Sequence, residues 1–218
     1  MILEKIIKDI QTGIQDDSFT VEGHIMPLIN EALDLVAYDF CHAGLASTAV
    51  INIAAGDTGP APLPEDYHHD VYRVENETFK RPVFVRSNID VLAKLYDELE
   101  STGPIDDVAA EGDQLYFEPY PTTTDQRLKV YYYRKPVEYE SIDTDETPEW
   151  LPASFHKSLI VDYALKELWA LVEDGIDGQK INTSFYNSTY LMGLGRLTRD
   201  TRRNPKQNPA IKRTARFF

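Results

Sequence analysis

Two adjacent histidines, His68 and His69, flanked by Asp66 and Asp70, are the side chains here that come nearest to a metal-ligand set. A strand aims adjacent histidines to opposite sides, and no distant His/Cys pair supplies further ligands, so the group reads as a solvated loop. Cys41-His42 fails as a nucleophile and base for a related reason: neighbours on a helix point about 100° apart. His24, His42 and His156 fall on or beside helix surfaces, where solvent or a polar partner is the ordinary fate. Asp16-Asp17 and Asp106-Asp107 are pairs that chance supplies in a chain with 36 acidic residues, and sequence spacing singles out no glycosidase-type pair. Gly193-x-Gly195 follows no strand and leads into arginines. It lacks the context of a phosphate loop and reads as a joint. Tyr131-Tyr132-Tyr133 offers aromatic faces to single-stranded nucleic acid, but stacking platforms come with a basic groove and this body is acidic. The reading is of no catalytic residue, no metal site and no cofactor.

The strongest signal is a reversal of charge. Residues 196–218 carry eight basic side chains (Arg196, Arg199, Arg202, Arg203, Lys206, Lys212, Arg213 and Arg216) against the single acid Asp200, a net of +7. The chain totals −14, which leaves −21 on residues 1–195, from 14 basic and 35 acidic residues. With Pro205, Pro209 and no apolar run, 196–218 reads as an extended basic arm that a partner orders, with Gly193 and Gly195 as its hinge. Ordering such a segment costs on the order of 1–2 kcal/mol per residue, which charge pairs alone do not offset. Ile211, Phe217 and Phe218 are therefore read as apolar anchors, with the basic residues finding carboxylates around them. The acidic body argues against wrapping nucleic acid by attraction. It does not argue against standing beside nucleic acid and repelling it.

The elements that must position these residues follow from periodicity. Ile2, Leu3, Ile6, Ile7, Ile10 and Ile14 fall at helical spacing over 1–14. A second helix covers 21–43, its regular part starting near His24–Met26 so that Pro27 lies in the first turn. Val50-Ile51 with Ile53, Val71–Val74 and Val83–Val85 read as strands around a 56–62 loop. Asn88 caps a helix over 89–100. Residues 115–117 and 128–133 alternate like paired strands across the 119–125 loop. The acidic stretch 138–149 shows no pattern. A helix over 154–173 and an amphipathic stretch over 181–194 close the body.

The fold class expected is α+β: a helical bundle built from both ends of the chain, a small β-rich subdomain inserted, and an extended basic C-terminal arm. The divisions are 1–47, 48–150 with one helix, 151–195, and 196–218. One cysteine excludes a disulfide framework and suits folding in a reducing cytoplasm. The apolar stretches fall short of the ~20 residues of a membrane span.

The order of landmarks resembles a known family. Ile29-Asn30-Glu31-Ala32 is followed by a strand and Leu63-Pro64-Glu65-Asp66. Then come Gly103-Pro104, Gly112, Leu115-Tyr116-Phe117 and Pro119-x-Pro121, and last 128–133, Pro136 and Leu151-Pro152 before Phe155-His156. Over residues 20–175 this series is similar to the head-to-tail adaptor, or connector, proteins of tailed bacteriophages. The resemblance implies a virion protein made in the host cytoplasm and placed in the neck. It implies a homo-oligomeric ring, commonly of twelve copies, between the portal protein and a tail nozzle or other distal tail protein. Genomic DNA would pass through the lumen without specific binding. In this family the C-terminal segment reaches the portal, and no catalysis or cofactor is implied. Another neck or tail-completion ring, a nucleic-acid-binding module using the arm, and a cell-wall hydrolase are the competing readings.

Overall fold

The computed structural model describes residues 1–40, 43–96, 101–140, 147–174 and 180–203, without the side chains of Arg202 and Arg203. Packing divides the chain into a helical unit, Met1–Leu45 with Pro136–Phe218, and a strand unit, Ala46–Lys135. Among the described residues the fold is α+β, with five helices and a nearly closed mixed sheet of seven strands.

Four helices build the helical unit: α1 (Leu3–Ile14), α2 (21–39), α4 (153–172) and α5 (Ile181–Arg203). The fifth, α3 (Ile89–Leu95), belongs to the strand unit. The isoleucine stripe of α1 is buried along its length, and Gln15, in the left-handed region at φ 52°, ends it by donating its N–H to Gln11 O. Helix α2 opens with a π turn, Val21–Ile25, and becomes α-helical over Met26–Asp39 with Pro27 in the first turn. Proline has no N–H to continue the backbone ladder, and the wider π turn stands directly before it. Thr20 caps it, its Oγ1 accepting the Gly23 N–H at 3.2 Å. The helix stops at Asp39, short of the expected residue 43; Cys41 and His42 lie outside the described residues.

Helix α4 joins two α-helical stretches, Ala153–His156 and Asp162–Val172, through a π turn at Lys157–Val161. Ile6 and Ile10 of α1, Ile29 and Val36 of α2, Leu159 and Leu168 of α4 and Leu197 of α5 share one buried cluster. Residues 136–140 and 147–150, grouped with the strands in the sequence reading, lie in the helical unit, where Tyr139 and Leu151 are core residues.

In the strand unit, β1 (Ala46–Ile53), β2 (Ala61–Pro62), β3 (Tyr67–Asn76), β4 (Arg81–Arg86), β5 (Asp107–Glu111), β6 (Gln114–Glu118) and β7 (Gln126–Arg134) take the order β1-β7-β3-β4-β5-β6-β2. Only β4–β5 is parallel. Strand β5, Asp-Val-Ala-Ala-Glu, went unread because it lacks the β-branched and aromatic run that marks a strand. Its presence changes the pairing: β6 pairs with β5 and β2, while β7 is held between β1 and β3. The expected hairpin between 115–117 and 128–133 is therefore not formed. Buried Gln126 pins the connection before β5, its Oε1 accepting from Asn76 Nδ2 at 2.6 Å and Ile105 N at 2.9 Å, and its Nε2 donating to Gly103 O at 3.2 Å.

Helix α5 runs unbroken to Arg203, so residues 196–203 are helical and the extended arm does not begin at Arg196. Leu197 and Thr201 continue the buried stripe of Tyr190 and Gly193, and arginine is a good helix former. Basic side chains also suit the negative end of a helix dipole.

Candidate functional site

Helix α5 has two faces. Tyr190, Gly193, Leu197 and Thr201 turn into the bundle. Ile181, Phe185 and Met192 are more than half exposed, and Arg196 and Arg199 follow on the same outward side at helical spacing. One face therefore grades from apolar to basic along the helix. Arg199 Nε donates to Gly195 O at 3.0 Å. Arg202 and Arg203 occupy the last helical positions. Lys206, Ile211, Lys212, Arg213, Arg216, Phe217 and Phe218 lie outside the described residues.

The start of α5 is fixed by Glu173. Its carboxylate accepts the N–H groups of Asn182 at 3.0 Å and Thr183 at 3.1 Å, and the Thr183 hydroxyl at 2.7 Å. These bonds, that of the Thr183 hydroxyl first, hold the carboxyl below its ordinary pKa.

Gly193 and Gly195 both sit inside α5, not at a joint. A Cβ at Gly193 would lie 2.7 Å from Ser158 Oγ and 2.9 Å from Leu159 Cδ2, so glycine there allows α5 to approach α4 closely. Gly195 faces open space.

A furrow of about 410 Å³ runs between α1, α4 and α5, lined by Asp9, Gly13, Leu165, Phe185 and Tyr186 among others. A second hollow of about 280 Å³ is lined by Ser154, Met192 and Arg196, and the two share Lys157, Asp162 and Thr189. Asp162 is only 7% exposed. Burial pushes its carboxyl pKa up, opposed by the Thr189 hydroxyl and the charge of Lys157. Sequence reading missed Asp162 because a lone acid inside an apolar helix carries no motif.

The other groups weighed for chemistry are absorbed by the sheet. His68 and His69 stand on β3, not in a loop. Register shifts and a positive φ at Asp70 break the alternation there, so the two rings lie together, Nδ1 to Nδ1 at 3.1 Å. His69 stacks on Tyr133 with centroids 5.3 Å apart. Among the described residues no three His, Cys, Asp or Glu side chains gather as metal ligands.

Tyr132 and Tyr133 are both buried. Tyr132 donates to Asp66 Oδ1 at 2.6 Å and Tyr131 to Glu75 Oε2 at 3.1 Å, so these rings serve the sheet. Asp106 pairs with Arg81 at 2.6 Å, while buried Asp107 is held by Arg86 and Tyr96. Asp16 accepts the Ser18 N–H at 2.9 Å.

No helix among the described residues is long and apolar enough to cross a membrane. Among curated proteins none matches the chain. The family model described as SU10 adaptor protein matches residues 1–213.

Proposed function

The chain belongs to the SU10 adaptor protein family, phage head-to-tail adaptors, and we propose that it is a structural virion protein that docks on the portal ring, extends the DNA channel and gives the next tail component its platform. The family is one of structural adaptors and not of enzymes. The observation that carries the reading is the reach of the match, which spans both units and most of the basic segment.

Two features of the molecule support the reading. Helix α5 ends in arginines and leads directly into 204–218, whose charge is opposite to that of the body. Its outward face also carries large apolar side chains, Ile181, Phe185 and Met192, each more than half exposed. The partners proposed are the portal protein, a distal tail protein and further copies of the chain in a closed ring, commonly of twelve. Contacts in such a ring are head-to-tail, so a partner ring can template closure. The place in the virion is the neck, with DNA passing through the lumen without specific contacts.

The test is to add purified protein to portal-bearing, tail-less heads and image the portal vertex. A collar of density below the portal, absent without the protein, is the expected result. A collar seen only further down an assembled tail would mark a tail-completion ring instead. A stable closed dimer that ignores the portal would overturn the proposal.

A further inference from the structure

Asp162 is the most deeply placed carboxylate in the furrow, at the junction of both hollows. Its neighbour Thr189 directs Oγ1 to Tyr186 O at 2.9 Å, so the single hydroxyl proton is contested. Among the described residues no cation comes within ion-pair distance of Asp162; Lys157 acts on it from further away. A carboxylate so buried is stabilised when a cation joins it with hydrogen bonds. Val161 and Leu165 line the furrow beside it, and Phe185 and Met192 stand more than half exposed at its rim. The site fits a short segment that carries both a cation and large apolar side chains.

We propose that residues 211–218 of the same chain, Ile-Lys-Arg-Thr-Ala-Arg-Phe-Phe, dock back into this furrow when no partner holds them, so that the free protein covers its own attachment segment. Reach permits it. Thr189 precedes Arg203 by fourteen positions, roughly 21 Å along a helix at ~1.5 Å per residue. The seven residues 204–210, with prolines at 205 and 209, span at most roughly 23–25 Å when extended. A linker near full extension therefore brings residue 211 back level with Thr189, beside Asp162.

Charge is complementary in sum. The helical unit without 204–218 holds twenty acidic and nine basic residues, a net of −11, against +4 on 204–218. The lining of the two hollows holds two acids, Asp9 and Asp162, and two cations, Lys157 and Arg196, so the complementarity belongs to the helical unit as a whole, with Asp162 the most buried of the four. Because the segment is tethered, docking is intramolecular, and its strength is set by how well the seven-residue linker spans the distance. Portal or other partner surfaces would then compete for the segment. The inference concerns the free chain and stands whichever protein finally receives the arm.

The test uses the full chain with Cys41→Ser, Met192→Cys and Ala215→Cys, treated with a short bismaleimide at high dilution. Cross-linked protein of monomer mass is expected. The rate should fall about tenfold on adding Asp162→Asn, and by a similar factor with Phe217→Ala and Phe218→Ala together. The second variant keeps the test valid should Asp162→Asn disturb the bundle. Unchanged cross-linking in the aromatic variant would overturn the proposal. So would products of mainly dimer mass whose yield rises with concentration, since they would place the segment in a second copy's furrow.

Discussion

Asn30 holds both backbone groups of Tyr139: its Nδ2 donates to Tyr139 O and its Oδ1 accepts the Tyr139 N–H, each at 3.0 Å. A side chain of α2 thus imitates the edge of a strand and captures the chain as it re-enters the helical unit. Asn30→Ala removes both bonds beneath a Tyr139 ring that is 5% exposed. We expect a loss of about 1–3 kcal/mol in chemical denaturation, the cost of stripping partners from part-buried polar groups. Asn30→Asp should keep the accepted bond but set a carboxylate oxygen against the Tyr139 carbonyl, so it should lose at least as much.

Stability on the acid side should depend on Glu173. Its carboxyl pKa is depressed, so its contribution is fully present above the ordinary value of 4.5 and is lost as pH falls through the native value. Glu173→Gln should therefore be less stable than the parent near neutrality, and the difference should shrink as unfolding is measured at successively lower pH. Asp162, raised by burial, acts with the opposite sign and is common to both proteins, so the comparison isolates Glu173. A difference independent of pH would show that the carboxylate is not what fixes the start of α5.

Two glycines two residues apart should respond in opposite directions. Gly193→Ala pushes a methyl group to within 3 Å of Ser158 and Leu159, and overpacking of this kind costs about 1–3 kcal/mol. Gly195→Ala meets nothing and gains helix propensity, about 0.5–1 kcal/mol. Thermal melts of the two variants test the helix contact at Gly193, and portal binding by Gly195→Ala tests for a joint, because a hinge would not tolerate alanine there without loss of binding.

Periodicity located most of the fold. The isoleucines of α1, the Pro27 start of α2, the Asn88 cap of α3 and the long alternating run of β7 all announce themselves within a few residues. Strand β5 did not, since its residues carry little strand preference and its place is set by neighbours distant in sequence. The helical character of 196–203 was masked for another reason. The charge reversal is a property of the whole of 196–218, while the burial of Leu197 and Thr201 depends on single residues four apart. The furrow at Asp162 was illegible in sequence, because α1, α4 and α5 bring its lining together from separated segments.

The extent of α5 determines where the attachment segment can be cut. Truncation after Leu194 would remove Leu197, 1% exposed, and Thr201, 9% exposed, and so damage the bundle. Truncation after Arg203 removes only 204–218 and should leave a folded body with little change in melting temperature. That body is expected to lose attachment to portal-bearing heads. Phe217→Ala with Phe218→Ala should weaken attachment even near 1 M salt, where the screening length falls to about 3 Å and charge pairs contribute little. Arg196→Ala with Arg199→Ala, on the exposed face of α5, should weaken it mainly at low salt, because exposed pairs are worth roughly 0–1 kcal/mol each and are screened. Sedimentation of the variants with heads across a salt series separates the two contributions. Full attachment by the protein cut after Arg203 would move the portal contact from 204–218 to the body, and the apolar-to-basic face of α5 would be the surface to test next.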